Sequence, residues 1–443
     1  MKSASTGAVV VILLVGLCAR APGQVVPVVP IVNQPAGVYV DADGTLHERQ
    51  VDDKNELAAQ RLRAKTLNQA ASAASPQALT YVSLGKLIAE LKSQTGAKRE
   101  LPENVRFLGG LTQVRYVFVF PEEHDIVIAG ASEPIESAGK TEPTGKVTGR
   151  PVMHLDDLVT ALRMSASANG RAQPFGCSLD PHPDSLNRAN QVMKDLARAS
   201  RAERMKAMKE AIGPQQVRSF GAPDNSRLMF ITIAADYKLK RMCLGLEPIP
   251  VAGVGSPVDN SRAAGNRFWF EADYAPLLVS PAGDAYELRG QRLALKCGAF
   301  SFDQKGATET SKRFAKDFSA KIPQLATIVP LFADLQNVAD VSVLAALIRR
   351  DGLDRKAGLD LAWLLSDQNY QCAVVPTPKA AETLVNYTNG SLVAGGVALD
   401  PRRVVAESNR ETDRKALVSA AKDRPGSDNW WKTRGGGVKV GAR

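Results

Sequence analysis

The chain has 443 residues, of which 44% are hydrophobic, 23% charged and 6% aromatic, with a formal net charge of +10. These proportions are ordinary for globular protein, and the length supports one large core or two to three modest ones without covalent staples. The basic excess is not a nucleic-acid groove: eleven basic and five acidic residues fall between Arg402 and Arg443, which leaves the rest nearly neutral and without interleaved basic and aromatic clusters.

Met1-Lys2 followed by the apolar stretch Ala8 to Leu17 reads as a signal peptide, too short to span a bilayer. Ala21-Pro22-Gly23 places small residues before Gln24, so cleavage is expected there. Cys18 raises lipidation, but bulky Leu17 stands where a small residue is required. No later 18-residue apolar run stands out, so the expectation is an exported chain, periplasmic or extracellular, with no transmembrane segment after cleavage.

Gln24 to Pro35 alternates apolar residues with proline and reads as an extended lead-in. Gly37 to Gly44 predicts a strand and a tight turn. Its pattern, G-x-x-[LV]-D, returns at Gly176 to Asp180 and at Gly396 to Asp400, the last two followed by proline. Helix-favouring sequence follows each copy, at Asn55 to Gln69, Ser185 to Lys209 and Asn409 to Lys422. Glycine admits the chain at a crowded strand start, and Asp-Pro turns it towards a helix.

A longer likeness joins Pro102 to Pro134 with Pro214 to Pro248. Both open on P-x-x-V-R-x-x-G and close on Glu-Pro, which predicts two equivalent β-hairpins, with Val114 to Phe120 matching Leu228 to Ala234. Lys140 to Arg150 reads as an exposed linker, and Val152 to Arg163 as a short strand entering a helix. Ile249 to Asn266 is a second connection. Arg267 to Gly290 predicts a hairpin around Pro281-Ala282-Gly283-Asp284, and Arg292 to Phe300 another strand.

Ala307 to Leu365 is helical by period, with new helices opening at Pro323 and Pro330. Strands are expected at Gln371 to Val375 and Ser391 to Leu399, with a helix from Pro378 to Tyr387 between them. The predicted class is α+β: duplicated strand–helix–hairpin units at 37–139 and 151–305, a helical segment with closing strands at 306–401, and a partly disordered basic tail at 402–443.

Arg267 to Leu293, Leu331 to Asn337, and the Gly176 to Pro181 and Gly396 to Pro401 motifs resemble a family of exported planctomycete bacterial proteins that carry a domain of unknown function. The resemblance covers roughly Val152 to Pro401. It implies export and supplies no catalytic residues, so chemistry has to come from the residues themselves.

Four histidines, His47, His124, His154 and His182, have no i, i+4 pair and no Cys-x-x-Cys beside them, so surface roles are expected and no metal or cofactor site is predicted. Asp41 to Gly44 resembles half a calcium loop but lacks the distal bidentate Glu, so a turn is expected. After cleavage Cys177, Cys243, Cys297 and Cys372 remain, an even number that permits two disulfides in three connectivities. Cys177 aligns with Val38 and Val397, and Cys243 with Ala129, which points to buried thiols rather than to a Cys177–His182 nucleophile pair.

Glu271 and Asp273 share one face of a predicted strand, with Glu287 across the hairpin, and such carboxylates could act as acid and base in a hydrolase. Arg267 and Arg289 nearby favour an ion-paired face. The sequence therefore predicts a non-catalytic structural or binding component of the cell envelope or exterior, in contact with envelope components through its basic tail. A hydrolase using Glu271, Asp273 and Glu287 is the alternative.

Overall fold

Asp41 closes the first hairpin, between β1 (Val38–Val40) and β2 (Thr45–Glu48), by accepting the amides of Asp43 and Thr45 on Oδ1. This is the expected turn. β3 (Leu79–Ser83) runs straight into α1 (Leu84–Gly96), whose first turn is capped by Ser83 Oγ accepting from the Lys86 amide. β4 (Tyr116–Phe120) and β5 (Asp125–Ala131) form the expected hairpin, and β6 (Ile135–Glu136) with β7 (Thr144–Gly145) a small separate sheet. The computed structural model of the chain describes residues 38–41, 43–48, 79–97, 100–137, 142–167, 173–258, 266–299, 306–386, 392–412 and Leu417. The expected signal peptide, lead-in, first polar helix and most of the basic tail lie outside these residues.

α2 (Leu155–Ser167) is followed by β8 (Phe175–Asp180), the helix pair α3 (Pro183–Asp195) and α4 (Arg201–Ile212), and β9 (Gln215–Phe220). Then come α5 (Arg227–Cys243), the long strands β10 (Asn266–Val279) and β11 (Ala285–Ala299), and the long helices α6 (Glu309–Ile328) and α7 (Pro330–Asp351). β12 (Ala380–Ala381), β13 (Val393–Leu399) and β14 (Arg410–Thr412) complete the described chain.

The main sheet has the order β1-β2-β12-β9-β8-β13-β10-β11-β4-β5-β3, with β14 added beside β10, and it is mixed parallel and antiparallel. It runs through every segment predicted as separate: β12 wedges between β2 and β9, and β13 between β8 and β10. The described residues from 38 onward form one packed unit. On its inner face Phe268 and Phe270 of β10 meet Phe314 and Phe318 of α6 and Phe332 of α7, with centroids 5.1 Å apart for Phe268–Phe314 and 5.4 Å for Phe270–Phe332. Each such edge-on aromatic pair adds about 1 kcal/mol beyond its buried area.

The second predicted hairpin does not exist. Leu228 to Ala235, read as a strand on its β-branched run, lies inside α5. Ser226 Oγ caps this helix at the Met229 amide, and the segment is 17 residues long, too long for the strand it was matched to. Val117 therefore stands in a strand and Ile231 in a helix, and the two stretches are not duplicates. The small G-x-x-[LV]-D motif does keep its local form: β8 ends at Asp180 and β13 at Leu399, just before Asp400, and helices begin at Pro183 and Pro401.

Three further boundaries move. Pro323 sits inside α6 rather than opening a helix, while Pro330 does open α7. Gln371 to Val375 forms no strand, and of the predicted 378–387 helix the described part, to Asn386, is the two-residue strand β12 followed by irregular chain. Folded structure also continues past Pro401, because β14 pairs with Leu277 to Val279 and Leu417 is buried beside Tyr116 and Phe118.

α7 is long and apolar enough to cross a membrane by composition, contrary to the expectation that no such run exists. That apolar stretch is wholly buried inside the fold, which identifies a core helix.

Candidate functional site

The register of β10 and β11 separates the three predicted carboxylates. Glu271 lies opposite Ala294, whereas Glu287 lies opposite Leu278, seven residues further along β10. At about 3.3 Å per residue that is roughly 20 Å, against the roughly 5–10 Å that two carboxylates flanking a glycosidic bond require. Glu287 is buried and accepts Arg115 Nε at 2.8 Å. Glu271 and Asp273 do stay together on the outer face, about 7 Å apart along the strand. Each is held by a neighbour: Trp269 Nε1 donates to Glu271 at 2.8 Å, with Arg403 at 3.7 Å, and Gln291 Nε2 donates to Asp273 at 2.8 Å. The expected partners differ, since Arg289 turns away to Glu411 at 2.7 Å.

The shifts in register between Asp273 and Leu278 bend the hairpin over α7. Arg292 sits at this bend with φ 72°, a left-handed conformation that costs a residue with a side chain about 1–3 kcal/mol. Its guanidinium is buried and donates to Asp340 at 3.1 Å and to the Val114 carbonyl at 2.8 Å. Asp340, from α7, also accepts Tyr274 Oη at 2.7 Å and the Val114 amide at 3.0 Å. Burial and the Asp340 charge push the Tyr274 hydroxyl well above its ordinary range. One aspartate thus ties β10, β11, the β4 approach and α7 together.

A second cluster gathers residues that no local pattern links. Arg227, first in α5, donates through Nη1 to Asp157 of α2 at 2.5 Å, and through Nη2 to Asp334 of α7 at 2.5 Å and Glu142 at 3.0 Å. His154 Nε2 stands 3.4 Å from Glu142, with its ring edge-on to Phe107. The expected surface role for His154 is therefore corrected. Arg227, Asp157 and Asp334 are 8%, 3% and 2% exposed, so solvent and substrate do not reach them. Burial raises Asp157 and lifts Asp334 to about 6, and Arg227 only partly opposes this. Burial would raise Glu142 too, but Arg227 and His154 bring it below the ordinary range. Three carboxylates around one guanidinium make a clamp among four chain segments, and a charge that costs several kcal/mol if its partner is removed.

A third buried pair lies under β8 and β13. Lys240 Nζ donates to Asp236, one turn earlier on α5, at 3.0 Å, and to the carbonyls of Leu179 and Gly395. Both residues are fully buried, and burial lifts Asp236 to about 6 despite the ammonium beside it. Cys177 and Cys243 flank this pair, buried and free, with thiols pushed well above their ordinary range by burial. His182 caps α3 and is exposed, so it does not reach Cys177. Cys297 and Cys372 are half-buried and also free.

His47 meets Asp41 at 2.8 Å, and His124 occupies the left-handed turn of the β4–β5 hairpin. Among the described residues no group of three His, Cys, Asp or Glu side chains is arranged to hold a metal ion. Glu271 and Asp273 were legible from the strand period, whereas Arg227 and Asp340 were not. The one local hint at Arg227 was a capping serine followed by a basic residue at the head of an apolar run.

No curated protein matches the chain. No solved structure matches it either. Residues 177–256, which run from β8 through α5, match the model of a family described as a protein of unknown function (DUF1598).

Proposed function

We propose that this is an exported, non-catalytic structural or binding component of the bacterial cell envelope or exterior. The observation that carries the reading is the placement of the perturbed acids. Asp157, Asp236 and Asp334, whose protons are shifted by burial, are all closed from solvent and bonded to Arg227 or Lys240. Groups tuned for catalysis face a cleft, and these face the core. The apolar stretch Ala8 to Leu17 and the resemblance to exported planctomycete proteins support export. The basic residues after Thr412 suit contact with an acidic envelope polymer. The alternative, a hydrolase, rests on the spacing of Glu271 and Asp273.

The test is co-sedimentation of the full chain with isolated bacterial envelope. The reading expects the protein to sediment at low ionic strength, and neither it nor a Glu271→Gln, Asp273→Asn variant to shorten an envelope polymer. Two results overturn it: failure to sediment, or progressive shortening of an envelope polymer by the wild type and not by the variant.

A further inference from the structure

On the outer face of the five central strands, among the described residues, Arg218, Phe220, Arg267, Lys296 and Ala398 are exposed. The pairings β9–β8–β13–β10–β11 align Phe220, Gly176, Ala398, Glu271 and Ala294 in one row, and Arg218, Ser178, Gly396, Trp269 and Lys296 in the next. Inward residues between these rows, such as Cys177, Val397 and Phe270, are buried. The outward rows have a floor of glycine, alanine and serine with an aromatic ring at each side. Phe220 is 47% exposed.

Both rings reach over a glycine of a neighbouring strand. The tip of Phe220 is 3.0 Å from where a Cβ on Gly176 would stand, and the indole edge of Trp269 is 3.2 Å from the equivalent point on Gly298. Glycine beneath an aromatic on a neighbouring strand lets the ring settle on the sheet and present its other face outward. Three strand steps separate the two platforms, about 14 Å, which is the reach of a short oligosaccharide.

The exposed charges have one sign. Arg218, Arg267 and Lys296 are open to solvent, and the Arg403 side chain is 77% exposed at 3.7 Å from Glu271. A second copy would bring like charges together across a twofold contact, which is unfavourable. The acids of the face, Asp180, Glu271 and Asp273, are half-buried. A uronic-acid chain offers carboxylates to these cations and hydroxyl donors to the acids of the face along one ligand. We infer that this face binds an acidic polysaccharide, a chain of uronic-acid rings stacked on Phe220 and Trp269 with its carboxylates on Arg218, Arg267 and Lys296. The inference deepens the binding reading and rests on it.

The experiment is titration of the full chain with oligogalacturonate, a neutral glucan of equal length and a single-stranded oligonucleotide, followed by calorimetry. Oligogalacturonate is expected to bind, with affinity falling as salt rises, and the neutral glucan much more weakly. Phe220→Ser with Trp269→Ala should weaken binding about tenfold or more, and Arg218→Ser with Arg267→Ser should do likewise while flattening the salt dependence. Urea midpoints report whether each variant is folded, and the exposed Arg218 and Arg267 pair serves if the aromatic variant is not. Absence of oligogalacturonate binding overturns the inference. So does binding untouched by these variants, which assigns it to the basic end of the chain. Equal affinity for the oligonucleotide, or a dimer abolished by the same variants, also overturns it by naming another occupant. Each of these failures leaves the sedimentation test of the broader reading standing.

Discussion

Gly176 and Gly396 lie on adjacent antiparallel strands, and each is closed to a side chain by the other's strand. A Cβ on Gly176 would stand 1.8 Å from the Val397 carbonyl oxygen, and one on Gly396 1.8 Å from that of Cys177. No real Cβ tolerates such a contact, so any larger residue has to push β8 and β13 apart. Alanine at either position is expected to cost about 3 kcal/mol or more. Gly255, with nothing near its Cβ position, is the control, and alanine there should stay within about 0.5 kcal/mol. Urea denaturation of the three variants checks this, and equal midpoints would contradict the close strand approach.

Asp236 and Asp334 give the protein an unusual acid limb. Both are lifted to about 6 from an ordinary 3.8, so the folded protein holds these protons more tightly than the unfolded chain. Their contribution to stability therefore falls as pH rises from about 4 to 6 and is flat above that. Glu142 acts in the opposite sense, as does Asp351, whose burial is outweighed by hydrogen bonds from Arg410 and Tyr286. What those two contribute is present above the ordinary carboxylate range and lost as pH falls through their lowered values. Unfolding free energies from urea titration should be higher at pH 5 than at pH 7, by on the order of 1–3 kcal/mol, before declining at lower pH. Asp334→Asn should flatten part of that limb; a wild-type midpoint that is level or rises from pH 5 to 7 would rule the assignment out.

The thiols should react in two classes. Cys177 and Cys243 are 3% and 0% exposed and their thiolates are disfavoured by burial, so native protein should protect both. Cys297 and Cys372 are half-buried and should label first. Mass mapping after brief exposure to a maleimide distinguishes the classes, and early modification of Cys177 or Cys243 would count against their place in the core.

Features set by neighbours in sequence were legible. The Asp-Pro turns, the hairpin around Pro281 to Asp284, the aromatic period of Phe314 and Phe318, and the core placement of Cys177 all follow from spacing, whereas Cys243 is buried in a helix and not, as read, in a duplicated strand. α5 was not legible, because Ile231, Thr232 and Ile233 favour strands, and its helical form depends on burial on every side and on the Asp236–Lys240 pair. β12 has two residues and exists only through β2 and β9. Glu142, Asp157, Arg227 and Asp334 are scattered over nearly two hundred positions, so their convergence belongs to topology alone. Glu271 and Asp273 were read together because a strand repeats every two residues, while Glu287 was misplaced by the shifts in register along β10.

Denaturation of Arg227→Met tests most directly whether the buried charges hold the fold rather than perform chemistry. Removing the guanidinium leaves Glu142, Asp157 and Asp334 facing one another inside the protein. The account predicts a loss of about 3–5 kcal/mol at pH 7. The loss should be smaller at pH 5, where protons can neutralise the orphaned acids. An Arg227→Met protein as stable as the wild type, or more so, would contradict it, since relief of strain on removal is the behaviour of a functional site.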